Sequence, residues 1–194
     1  MKQKTELLRK SVGAALLIAL GDCVLLKLGQ PIGPFLFALG LIGVCYLGQN
    51  LFTGKCGFLI ADHIPIVDLL LILVGNLAAG WVFGWLIAIA DPSLVPAAVE
   101  KVRSWEISLP FFIKACFCGV VMYLAVLLYR KGTPLGILFG IPLFIFCGFQ
   151  HCIAHVITLG AATTWDWSLP IAVAGNFAGS LFTWWVCRTV EQKK

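Results

Sequence analysis

Six ionisable side chains stand inside stretches that are otherwise apolar: Asp22, Lys55, Asp68, Lys114, His151 and His155. A charge in hydrocarbon is costly, so such residues face a cavity, a partner or the interface. His151 lies in Cys147-Gly148-Phe149-Gln150-His151-Cys152-Ile153-Ala154-His155, beside a helix break and after an apolar, aromatic stretch. A buried histidine is often a satisfied core residue, but this setting points to a pore lining. An imidazole titrates near neutrality, so it can bind an anion when charged or pass a proton to one. Lys114, in Phe111-Phe112-Ile113-Lys114-Ala115-Cys116, either snorkels to the nearby interface or sets a positive charge that draws anions into a vestibule. Asp22 is either its partner or a packing charge. Asp68 opens a span and reads as interfacial.

Other chemistries lack their parts. His151 and His155 are four apart, as metal ligands on one helix face can be, but no glutamate follows the first and no third ligand stands out. The eight cysteines form no CxxC pair and read as small apolar residues. No acid, nucleophile or metal set suggests an enzyme, and no cofactor is implied.

The elements that must position these residues are membrane helices. Of 194 residues, 60% are hydrophobic and 12% charged, against about half and a quarter in soluble domains. Candidate spans cover 11–29, 31–52, 66–90, 107–129, 134–164 and 168–188. They leave no room for a soluble domain, and the net charge of +5 does not indicate a nucleic-acid partner. The second and fifth spans are interrupted, at Gly54-Lys55-Cys56-Gly57 and after His151. Such breaks are tolerated in a bilayer only where protein or a cavity satisfies the freed backbone groups. Basic residues cluster at Lys2, Lys4, Arg9 and Lys10, at Arg130 and Lys131, and at Arg188, Lys193 and Lys194. This distribution predicts both termini in the cytoplasm. The basic start is followed by no small-residue cleavage site, so the first helix reads as retained.

The halves repeat. Gly29-Gln30-Pro31-Ile32-Gly33 matches Gly132-Thr133-Pro134-Leu135-Gly136, and Gly75-Asn76-Leu77-Ala78 matches Gly175-Asn176-Phe177-Ala178, with Trp85 and Trp185 following. Three spans per half make the second half enter from the opposite side. The expectation is an all-α, six-helix membrane protein, a 3+3 inverted repeat with helices 2 and 5 broken. It forms one pore domain over 1–194, with repeats of about 8–90 and 107–188 and the pathway at their interface.

Five motifs, in order along the whole chain, resemble the formate/nitrite transporter family. They are Gly48-Gln49-Asn50-Leu51-Phe52-Thr53-Gly54, Gly75-Asn76-Leu77, Lys114 with Cys118 and Leu124-Ala125-Val126, Gly148-Phe149-Gln150-His151, and Gly175-Asn176. The resemblance implies an aquaporin-like fold, a homopentamer in the cell (inner) membrane, and one pore per protomer. By position, Phe37, Leu41 and Phe144 match one apolar constriction. Leu51 and Phe52 lie at the other with Thr53 beside them, and His151 matches a central histidine. The chain departs from the family pattern at Asn50 and Gln150, which stand where it carries acids, and at Gly119 and His155, which stand where it carries asparagine. Losing two carboxylates favours anion entry, and Gly119 suggests a wider path near Lys114.

The expected function is a passive channel or proton-linked transporter for a small monovalent weak-acid anion, such as formate, nitrite, hydrosulfide, acetate or lactate. A bare anion is poorly tolerated in a dry constriction, and a weak acid avoids that penalty by taking a proton. Lys114 would concentrate the anion, and His151 with Thr53 would bind it or relay a proton. The alternative is a channel for water, ammonia or a small polyol, for which Lys114 has no obvious use.

Overall fold

The computed structural model describes residues 2–191, with side chains to Arg188; Lys193 and Lys194 lie outside the described residues. The elements are α1 (Lys2–Leu28), α2 (Ile32–Tyr46), α3 (Phe52–Lys55), α4 (Ile66–Ala90), α5 (Val95–Arg103), α6 (Leu109–Arg130), α7 (Leu135–Phe146), α8 (Cys152–Ala161) and α9 (Ser168–Glu191). Among the described residues there is no strand.

Four helices, α1, α4, α6 and α9, are long and apolar enough to cross a bilayer. Large apolar side chains are exposed along them, among them Leu20, Val74, Phe117 and Trp185. Three shorter apolar helices accompany them: α2, α7 and α8. At 1.5 Å per residue, α2 reaches about 22 Å and α8 about 15 Å, short of a hydrocarbon core of roughly 30 Å. Every residue of α8 is buried, so this helix is enclosed by protein. It packs along α4, while α2 packs on α1 and α7, and α6 on α9.

Each of α2 and α7 ends on a glycine turn. Gly48 after α2 and Gly148 after α7 take φ of 60° and 66°, a left-handed conformation that glycine adopts without a Cβ penalty. Leu51 and His151 are then extended, and α3 and α8 begin immediately after them. Two asparagines satisfy the backbone freed by these breaks. Asn76 Oδ1 accepts from Phe52 N at 2.7 Å, and its Nδ2 donates to Asn50 O at 2.9 Å and Ser11 O at 2.8 Å. Asn176 does the same in the other half: Oδ1 accepts from Cys152 N at 2.8 Å, and Nδ2 donates to Gln150 O at 2.7 Å and Ala115 O at 2.9 Å.

The link before α6 is not a plain loop. Pro96 in its first turn and basic residues in its last support α5, where the sequence alone suggests only a connection. At that end of the bundle Lys27 donates to Asp91 Oδ2 at 2.6 Å, which holds the Asp91 carboxyl below its ordinary range. A depressed carboxyl pKa keeps this clasp through neutral pH and releases it only as acid protonates Asp91. At the opposite end Arg130 forks onto both Asp62 oxygens, at 2.9 and 2.6 Å, and lies 3.6 Å over the Phe58 ring.

Candidate functional site

Two cavities enter the bundle from its two ends. The one at the Arg130 end is lined by Leu41, Cys45, Leu51, Lys55, Tyr129 and Arg130, among others. The other, at the Lys101 end, holds about 210 Å3 and is lined by Asp22, Phe37, Lys101, Trp105, Phe144, Gln150, His151 and His155, among others. Phe37 and Leu41 are one turn apart on α2, about 6 Å along its axis. A single layer of side chains therefore separates the cavities. It consists of Phe37, Leu41, Leu51, Thr53, Phe144 and His151, all buried. Phe37 meets Phe144 edge-on with ring centroids 6.1 Å apart, and Phe144 stacks on the His151 ring at 5.8 Å.

This regroups the expected constrictions. Leu41 lines the cavity of Leu51, not that of Phe37 and Phe144. Phe52 lines neither cavity and stacks on Phe177 at 6.5 Å. Asn76 and Asn176 are fully buried, and their amides are spent on the two breaks, so they hold the layer in place rather than line it. Asn50 and Gln150 contribute their carbonyls to those asparagines; only the Gln150 side chain borders a cavity.

His151 has both ring nitrogens engaged. Nδ1 accepts from Ala154 N at 3.1 Å and caps α8, while Nε2 lies 2.8 Å from Thr53 Oγ1. A backbone N–H can only donate, so Nδ1 carries no hydrogen. The ring is therefore the neutral Nε2–H tautomer, donating to Thr53. That leaves the Thr53 hydroxyl hydrogen for a further acceptor. Protonating His151 would cost α8 its cap, so of the two roles expected from the sequence, binding the anion or relaying a proton, this arrangement fits binding.

Lys114 is exposed and does not line the cavity. Its helix neighbours reach residues of the cavity wall: Phe111, three residues earlier, meets the His155 ring edge-on at 5.9 Å, and Phe117, three residues later, stacks on Phe149 at 5.4 Å. The cation inside the cavity is Lys101, brought there by α5, with Nζ 3.2 Å from Asp22 Oδ1. Asp22 is wholly buried and also accepts from Thr158 Oγ1 at 2.9 Å. Its partner is thus Lys101 and not Lys114. No sequence signal joins residues so far apart in the chain.

Gly119 does not widen a path. A Cβ there would run into the Asn176 carbonyl, because α6 and α9 touch backbone to backbone at this point. Gly119→Ala is expected to destabilise the bundle by about 1–3 kcal/mol, since overpacking a close helix contact forces backbone shifts. A lowered melting temperature in detergent, with no gain in permeation of larger solutes, is the outcome to measure. Among the described residues no cluster of three His, Cys, Asp or Glu could hold a metal.

A family model described as Formate/nitrite transporter matches residues 5–166. The chain belongs to that family. Its four long apolar helices are those of an integral membrane protein. Its curated relative Uncharacterized transporter YrhG of Bacillus subtilis (strain 168) is 29% identical over 178 residues, which are 81% of this chain and 62% of the relative. The chain therefore spans about three-fifths of the length of the curated relative it matches. Two solved structures share the formate/nitrite transporter fold with it. One, described as a pentameric formate channel with formate bound, aligns with TM-score 0.80 and 17% identity over 99% of both chains. The other, an FNT family ion channel, aligns with TM-score 0.71 and 20% identity over 92% of this chain and 85% of that one.

Proposed function

We infer that the chain conducts a small monovalent weak-acid anion across the cell membrane, crossing in or near its protonated form. The observation that carries this reading is the buried layer in which a Thr53–His151 donor pair sits among Phe37, Leu41, Leu51 and Phe144, between two cavities that each hold basic residues. Basic groups at the mouths favour anions, and the apolar layer disfavours a bare one. The exposed Lys114 and, inside the cavity, Lys101 raise the local anion concentration. At the layer the acid replaces part of its hydration with the Thr53 hydroxyl hydrogen, which His151 leaves free by donating to the Thr53 oxygen.

In this reading α2 with α3 and α7 with α8 form two interrupted crossings, which bring the total to six. The two halves are an inverted repeat about the membrane plane. The matched roles of Gly48 and Gly148, Leu51 and His151, and Asn76 and Asn176 support it. The whole chain is one pore domain that assembles as a lipid-embedded homopentamer. The pentameric likeness supports the assembly, and mass measurement in native nanodiscs tests it. The Arg130 end, where α1 begins and α9 ends, faces the cytoplasm in this reading.

Proteoliposome flux with formate, nitrite, hydrosulfide, acetate and glycerol tests the function. Flux of the weak acids without glycerol is expected; glycerol flux alone would instead point to a neutral-solute channel. Lys114→Ala is expected to lower uptake about three- to fivefold at low substrate and low salt, as befits an exposed charge. The loss should vanish at high ionic strength, and Lys114→Arg should retain most of the uptake. Equal uptake by the wild type and the Lys114→Ala variant at low salt would leave the lysine as an interfacial anchor.

A further inference from the structure

We propose that the Lys101 cavity holds a second binding station, where an oxyanion is held between Nζ of Lys101 and Nδ1 of His155 before it reaches His151. The proposal rests on the pathway reading above and adds to it a site and a class of ligand.

His155 is 2% exposed, yet its Nδ1 has no hydrogen-bond partner in the structure. Burying a polar nitrogen unpaired is unfavourable, so such a group in a cavity wall calls for a ligand or water. The rest of the ring is fixed. Nε2 lies 2.9 Å from Ser168 Oγ, the ring stacks on Trp105 at 3.4 Å, and Phe111 meets its edge. When the Ser168 hydroxyl donates to Nε2, the ring hydrogen sits on Nδ1 and is offered to an acceptor. Lys101 lines the same cavity with a third of its side chain exposed, so its ammonium is reachable from the mouth.

The other polar groups around His155 do not supply the missing partner. Asp22 on α1 is occupied by Lys101 and Thr158, and His151 at the start of α8 by Ala154 and Thr53. Asp166 accepts from Ser168 N. A cation and a separate N–H are two contacts, and an oxyanion such as formate has two acceptor atoms to fill them. Hydrosulfide has one. The half-buried Trp105 covers the histidine and gives the station an apolar wall.

The test is initial uptake against concentration in proteoliposomes, for formate and for hydrosulfide. His155→Asn is expected to raise the half-saturating formate concentration about five- to tenfold, as loss of one charge-assisted hydrogen bond would. The hydrosulfide value should move less than about twofold, because one acceptor atom already satisfies Lys101. The paired change Asp22→Asn with Lys101→Gln removes both charges without stranding either, and should raise the formate value at least as much. An unchanged formate value in His155→Asn, or an equal rise for both ions, overturns the proposal. Trp105 gives a reading on the wild-type protein: formate should produce a saturable fluorescence change that is absent in Trp105→Phe. No such change also overturns it. Wild-type vesicles that pass neither ion contradict the channel reading instead, and the Trp105 signal still reports the station.

Discussion

His151→Asn is expected to lower weak-acid flux about ten- to a hundredfold while leaving the fold intact. The two halves of that expectation come from the two ring nitrogens. Nδ1 caps α8 through Ala154 N, and asparagine is among the best N-cap residues, so the helix keeps its start. Nε2 reaches Thr53, and the shorter amide cannot span that distance. Without the Nε2–H the Thr53 hydroxyl is no longer held free for the solute, and losing that donor in a dry layer removes on the order of 1.5–3 kcal/mol of stabilisation, which sets the range of the flux loss. The measurements are initial uptake and melting temperature for both proteins. Wild-type flux in the variant would reduce His151 to a helix cap. Reduced flux with a collapsed melting temperature would mean that the cap, not the donor, dominates.

The largest stability effect is expected at the paired asparagines. Asn176→Ala removes three hydrogen bonds at once, to Cys152 N, Gln150 O and Ala115 O, and leaves the backbone of the α7–α8 break unsatisfied. At about 1–1.5 kcal/mol each, the loss is roughly 3–5 kcal/mol. Asn76→Ala should cost a similar amount at the α2–α3 break, where the same three roles go to Phe52 N, Asn50 O and Ser11 O. Thermal unfolding in detergent is the measurement. A variant that melts within a few degrees of wild type would show that water can replace the amide and that the break is not sealed by protein.

Much of this arrangement can be read from the residue order. The apolar stretches mark the helices, and Gly48 and Gly148 mark the turns. The recurrence of Gly-Asn at 75–76 and 175–176 marks equivalent positions, because a helix break in a membrane needs a polar group on a neighbouring helix. His151 draws attention for the same reason. What the sequence does not carry is the pairing across distance. Residues 91–106 look like a polar connection, yet a proline near the start and basic residues at the end make α5, which swings Lys101 and Trp105 over the cavity. Asp22 therefore pairs with a lysine from that segment, and Lys114 is left exposed outside the cavity lining. Leu41 joins Leu51 because one turn of α2 is enough to cross the layer from Phe37. Gly119 is small for backbone contact with α9, a need that a single sequence cannot distinguish from room for a solute.

If the substrate crosses the buried layer as the acid, each formate carries its proton through. Vesicles reporting both internal pH and membrane potential, given an inward formate gradient, put that step to the test. Internal acidification faster than in protein-free vesicles is expected, with little change in potential. A potential that swings inside-negative without acidification would show a bare anion crossing, and passage as the acid would be wrong.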